Sequence, residues 1–233
     1  MKRRTLLAGL AAGVALPSAA VGGIAVADDD DTDLIAITEQ SKNQILVFHR
    51  DDEWTDDNVV WSFSPGTANG WVDRMEARFR ETKRYGTVAL TAGGTGSGDG
   101  QVGIVPFDPA TKKHTILDDL LWSTNVGTYP HGIERIPNVL AVVVSGSRQG
   151  LHVYAQKNSD VSTLKKVQQI EVDKSHSLLW DHTYEMLWVV GAYAVRTFTV
   201  KGIGYDLQLE ETGDPITLPY NGHDVQPHYT DPS

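Results

Sequence analysis

Three histidines recur at intervals that chemistry can use: His131, His176 and His223 stand 45 and then 47 residues apart, and Glu76 precedes the first by 55. Each histidine follows a small or turn-forming residue, in Pro130-His131-Gly132-Ile133-Glu134-Arg135, Ser175-His176-Ser177-Leu178-Leu179-Trp180-Asp181 and Gly222-His223-Asp224-Val225. Brought to one point, three imidazole nitrogens and a carboxylate suit a divalent ion such as Mn, Zn, Ni or Fe with positions left open. The same set can hydrogen-bond a small polar ligand. A metal holding a uronic acid carboxylate would acidify the neighbouring C–H and let a base begin β-elimination. Arg74, Arg78 and Arg135 are then expected at the same mouth, pairing with substrate carboxylates. Glu134 is expected in the channel as a salt-bridge partner or ligand, and Asp181 and Asp224 as turn-forming carboxylates or groups that orient imidazoles. The competing reading makes each histidine a hydrogen-bonded structural residue at the start of a buried strand.

A recurrence of about 45 residues in a chain of short strands is the period of propeller blades, each of four strands. The first strand of every blade lines the central channel, so one equivalent position per blade sets these side chains on a ring. The longer step from Glu76 to His131 is absorbed by a glycine-rich hairpin at 93–100. Apolar runs bounded by turn residues predict strands at 34–37, 44–48 and 59–63, in a first blade whose innermost strand is supplied by the C-terminus. The second blade is expected from Glu76 through Val88, 102–107 and 114–117. The third takes 131–137, 139–145, 151–154 and 167–172, and the fourth 176–181, 186–191, 195–200 and a strand within 207–218. No stretch holds an apolar helical period, so the class is all-β. The expected fold is a five-bladed β-propeller with an incomplete last blade, or alternatively a four-bladed ring closed by the C-terminal strand.

Lys2-Arg3-Arg4, an apolar stretch over 5–21 and Ala25-Val26-Ala27 before Asp28 read as an export signal over 1–27. The paired arginines suggest the twin-arginine route, and glycines interrupt the apolar run too often for a membrane anchor. The expected location is secreted or extracytoplasmic. Residues 28–33 form an acidic tail without the glycine turn and closing glutamate of a calcium loop, and 34–233 form the propeller domain. There is no cysteine, which excludes disulfides, lipoprotein anchoring and thiolate sites. The formal charge of −10 becomes −13 once Lys2, Arg3 and Arg4 are removed, leaving 17 basic against 30 acidic side chains. Such a balance argues against nucleic acid and anionic membranes. The expected partner is an extracellular carbohydrate or small polar ligand, bound by a monomer that is either a metal-assisted lyase on uronic acid-containing glycans or a non-catalytic propeller binding extracellular glycan or protein.

Other motifs carry less. The glycine-rich 93–100 fits neither a dinucleotide fingerprint nor a phosphate loop, and has Gly98 where a calcium nonapeptide needs aspartate. His182 and His228 lie near the register and are candidate bases or surface turn residues; His49, His114 and His152 fall on outer strands with no assigned role. Trp61, Trp180 and Trp188 read as packing, while Trp54, Trp71 and Trp122 fall in connections where an indole stacks on sugar or packs inward. No Gly-x-Ser-x-Gly elbow and no His-Glu-x-x-His occurs, which removes serine esterases and zincins.

The hairpin at 38–48, Glu76-Ala77-Arg78, Pro130-His131 with Glu134, His176 with Trp180-Asp181 and Leu187-Trp188, and Gly222-His223-Asp224 together resemble an uncharacterised family of exported bacterial propellers, a domain of unknown function. The resemblance covers most of the chain after residue 27 and implies five blades, with a further blade and closing strand beyond the Gly-His-Asp element. A chain ending at Ser233 is then expected to be a truncated copy. The family implies no activity. A looser likeness, of architecture and residue type alone, is to propeller-type polysaccharide lyases such as oligogalacturonate lyase.

Overall fold

The computed structural model describes residues 33–67, 70–95 and 98–227, with backbone alone at Arg74 and Met75. The export signal expected at 1–27 and the tail through residue 32 lie outside the described residues. Apolar runs of four to eight residues, broken by turns, fold into four four-stranded sheets. The first holds β1 (Leu34–Glu39), β2 (Gln44–His49), β3 (Trp61–Ser64) and β7 (His114–Ile116), in that order. The second holds β4 (Arg74–Thr82), β5 (Gly86–Gly93), β6 (Gln101–Pro106) and β8 (Trp122–Asn125). The third holds β9 (Pro130–Ile136), β10 (Ala141–Gly146), β11 (Gly150–Ala155) and β12 (Lys165–Ile170). The fourth holds β13 (Ser177–Asp181), β14 (Met186–Val190), β15 (Ala194–Lys201) and β16 (Gln208–Thr217). The class is all-β, and none of the sheets closes on itself.

Consecutive sheets pack face to face. Ile45, Trp61 and Phe63 of the first meet Ala89 and Val105 of the second. Val88 and Leu90 meet Ile133, Val144 and Tyr154 of the third. Val143, Leu151 and Val153 of the third meet Leu178, Leu187 and Phe198 of the fourth. The third sheet is therefore covered on both faces, and every residue of β10 and β11 is buried. That is why Val142-Val143-Val144 runs without polar alternation. Each such fully buried side chain contributes about 1.5–3 kcal/mol of transfer free energy. Along one edge β1, β4, β9 and β13 succeed one another as neighbours.

Two expectations are corrected. The strand at 114–117 does not complete the second sheet: β7 leaves it and pairs with β3 in parallel, Ser62 opposite His114 and Ser64 opposite Ile116. Thr115 Oγ1 donates to the Ser62 carbonyl at 2.8 Å, and Ser62 Oγ meets His114 Nδ1 at 2.9 Å. The vacated place goes to β8, in what reads as a connection around Trp122. The first sheet also owns the strand next to β4, namely β1, so the C-terminus is not needed to supply it. Residues 218–227 form no strand and lie instead on the fourth sheet, Leu218 N donating to Tyr193 O at 2.7 Å and Gly222 N to Ala192 O at 3.1 Å.

Candidate functional site

At one end of the shared edge the strands depart from regular pairing, and the register residues sit at those departures. Between β9 and β10, Gly132 opposes Ser145 and Pro130 opposes Gly146, which leaves His131 unpaired on a bulge. A bulge re-aims the side chain it carries. The β4–β5 ladder slips in the same way between Arg74 and Glu76. His176 leads into β13, its N–H donating to the Val190 carbonyl at 2.8 Å. Its Nδ1–H donates to the Lys174 carbonyl at 2.7 Å, which leaves Nε2 as the free ring atom. His223 arrives on the irregular C-terminal segment. There Asp224 Oδ1 accepts from Ser177 Oγ at 2.7 Å and from Val225 N at 2.8 Å, while Gln226 Nε2 donates to Oδ2 at 2.8 Å.

The three imidazoles stack in a row. Ring centroids of His131 and His176 are 4.4 Å apart at a 33° tilt, those of His176 and His223 4.7 Å apart at 46°, and Tyr129 sets an edge 4.5 Å from His131. Gly132 permits the approach, since a Cβ there would lie 2.9 Å from Ser145 Oγ and 3.0 Å from the His176 carbonyl. Glu76, His131, His176 and His223 line one cavity of about 250 Å³, and Arg78, Ser177, Asp224 and Gln226 complete its wall. The sequence register thus marks residues that meet. As they stand they are a packed row and not a coordination set: among the described residues no group of three or more His, Asp or Glu side chains is arranged to hold a metal ion.

Burial, reinforced by the neighbouring imidazoles His176 and His223, pushes His131 down to about 4, so it is neutral at pH 7. Burial also raises the Glu76 carboxyl above its ordinary range; Arg78, with Nε 3.2 Å away, pulls against that shift, and Asp224 and Glu134 add to it. Asp224 is held low: partial burial opposes this, but hydrogen bonds from Gln226, Ser177 and Val225 N prevail.

Of the arginines expected at the mouth, Arg78 alone among the described side chains borders the cavity. Its guanidinium is committed to Glu76, to Glu134 at 3.1 Å, to the Leu178 carbonyl and to Ser177 Oγ at 3.3 Å. Arg135 reaches along β4 to the Glu81 carbonyl at 3.1 Å and lies outside the cavity wall. The Arg74 side chain lies outside those described. Glu134 is fully buried below the cavity and accepts Arg80 Nε and Nη2 at 2.8 and 2.6 Å, Arg78 Nη1 and its neighbour's N–H. Arg80 was missed, although Arg78-Phe79-Arg80 in a strand sends both guanidinium groups to one face. Asp181 stands at the opposite end of β13 and organises the hairpin to β14, accepting from Thr183 N, Tyr184 N and Trp188 Nε1. His182 is exposed in that same turn, and His228 lies outside the described residues. Trp71 and Trp122 pack against Phe63 and Tyr154, and Trp54 stacks on Phe48.

Comparison with known proteins gives no relatives to lean on: no protein-family model matches the sequence, and no curated protein is similar to it. Fold and site together define an all-β chain of four adjoining sheets with a histidine-lined polar cavity at their common edge. No helix among the described residues is long and apolar enough to cross a membrane.

Proposed function

We propose that the four sheets are blades of a propeller in an exported protein, and that the cavity binds a small uncharged hydroxylated ligand, the kind an extracellular carbohydrate presents. One observation carries this reading: among the described side chains the wall combines imidazoles and carboxylates with a single cationic group, Arg78, already engaged by Glu76 and Glu134. Imidazole nitrogens and carboxylate oxygens match sugar hydroxyls as donors and acceptors. A uronic acid carboxylate would instead meet Glu76 and Asp224, with no uncommitted guanidinium among the described side chains to receive it, which favours a binding module over the lyase.

A divalent ion is the second reading, and it rests on His176. A ring whose Nδ1–H is fixed by a backbone carbonyl has the tautomer and orientation common among metal ligands. Elemental mass spectrometry on untagged protein, beside a His131→Ala/His176→Ala variant, separates the two. About one equivalent of a divalent ion lost in the variant selects the metal. Metal-free protein whose melting temperature rises with neutral oligosaccharide, with the rise abolished in the variant, selects the sugar. A folded sample that shows neither response rejects both.

A further inference from the structure

Beyond the cavity, the fourth sheet and the segment that follows it expose three large side chains. Tyr193 is 57% exposed, Ile216 54% and Tyr220 81%. All three belong to the end of that sheet at which His176 enters β13. Tyr193 lies in the β14–β15 turn, just past the Val190 carbonyl that receives His176 N–H. Its own carbonyl accepts Leu218 N, and the preceding carbonyl, of Ala192, accepts Gly222 N. Ile216 opposes Val195 in the β15–β16 ladder, and Tyr220 comes three residues before His223. The segment that delivers His223 to the cavity is therefore flanked by two exposed phenol rings and an exposed aliphatic side chain.

The cavity, at about 250 Å³, is smaller than the roughly 300 Å³ at which typical ligand pockets begin. It has room for one small unit, and the rest of any chain must leave across the rim. The apolar C–H face of a pyranose stacks on a tyrosine ring, and the phenol oxygen stays available to hydroxyls. An exposed patch continuous with a polar cavity is a recognised mark of a binding surface.

We propose that Tyr193 and Tyr220, with Ile216, form stacking subsites for successive units of a neutral carbohydrate chain whose end occupies the histidine cavity. This rests on the cavity reading above. The test is an NMR titration of the full chain, following imidazole and tyrosine ring signals. Ligands are the hexasaccharides of β-1,4-glucan, β-1,4-xylan and α-1,4-glucan, with the matching monosaccharides, glucose and xylose. One hexasaccharide is expected to shift the imidazole, Tyr193 and Tyr220 signals, and its monosaccharide the imidazoles alone. Tyr193→Ala/Tyr220→Ala should then weaken the hexasaccharide about fivefold and leave the monosaccharide unchanged. Both substitutions are at exposed positions, and an unchanged thermal melt confirms the fold.

Imidazole shifts with undiminished hexasaccharide affinity in the tyrosine variant would overturn the subsites and leave the cavity reading standing. Tyrosine shifts without imidazole shifts would remove the cavity reading and overturn a chain that ends there. Silence at both sets, or a dimer in sedimentation that the variant dissociates, would overturn the proposal.

Discussion

His131 and Glu134 are three residues apart on one strand, and they have opposite fates. Glu134 is sealed from solvent with two hydrogen bonds to each oxygen, from Arg78, Arg80 and the Arg135 N–H. Its lone pairs are full. Through Arg78 the same cluster reaches the Leu178 carbonyl, so one buried carboxylate fastens the second, third and fourth sheets. His131, on its bulge, touches other rings with its faces and keeps ring nitrogens for something else. A buried charge survives only when saturated, so saturation marks the part that holds the fold, and unfilled capacity on an open cavity wall marks the part that meets a ligand.

The contrast is broken most severely at Glu134. Glu134→Ala leaves two arginines facing each other without their shared acceptor, and the expected loss is about 3–5 kcal/mol in chemical denaturation. A loss below about 1 kcal/mol would show that the cluster fastens nothing.

Acid sharpens the contrast from the other side. His152 is 1% exposed, neither ring nitrogen has a hydrogen-bond partner, and burial, with a further contribution from Lys166, pushes it down to about 4. His131 is depressed to a similar level. Both pKa values are lowered on folding, so the unfolded chain binds more protons between about 4 and 6.5. Stability is therefore full above that window and falls as the pH drops through it. His152 alone accounts for about 3 kcal/mol of the fall. Denaturation midpoints measured across the window should flatten in a His152→Phe variant; an unchanged slope would mean that the ring is not buried uncharged.

The smallest effect belongs to the segment that carries His223. Asp224→Ala removes the acceptor for Ser177 Oγ and Val225 N, and is expected to cost about 1 kcal/mol. Amide exchange at Val225 should quicken, with that at Val143 in the third sheet unaffected. Equal acceleration at both amides would make Asp224 part of the general core.

Legibility in the sequence followed the same division. The spacing of His131 and His176 showed because each sits where a strand at a common edge begins, whereas His223 comes to the same cavity on a segment that forms no strand. Asp224 was legible as a carboxylate beside the third histidine, but its partners, Ser177 Oγ, Val225 N and Gln226 Nε2, are not imidazoles. Glu134, Arg78 and Arg80 were legible only as charges. Which guanidinium meets which carboxylate depends on the register between β4 and β9, separated by 54 to 56 residues. Periodicity does not encode that distance. The parallel placement of β7 was hidden for a similar reason: His114-Thr115-Ile116 has the composition of any short edge strand, and nothing local says which sheet it will join.

That strand ties the first two sheets to each other. Because the connection between β6 and β8 crosses over to lay β7 on β3, the first sheet is finished by a piece of the second, as a buckle is closed by the tongue of the other strap. Neither can peel away alone without tearing the clasp. The first two sheets are thus joined by the chain itself as well as by their packing, and opening one from the other must also break the β3–β7 ladder.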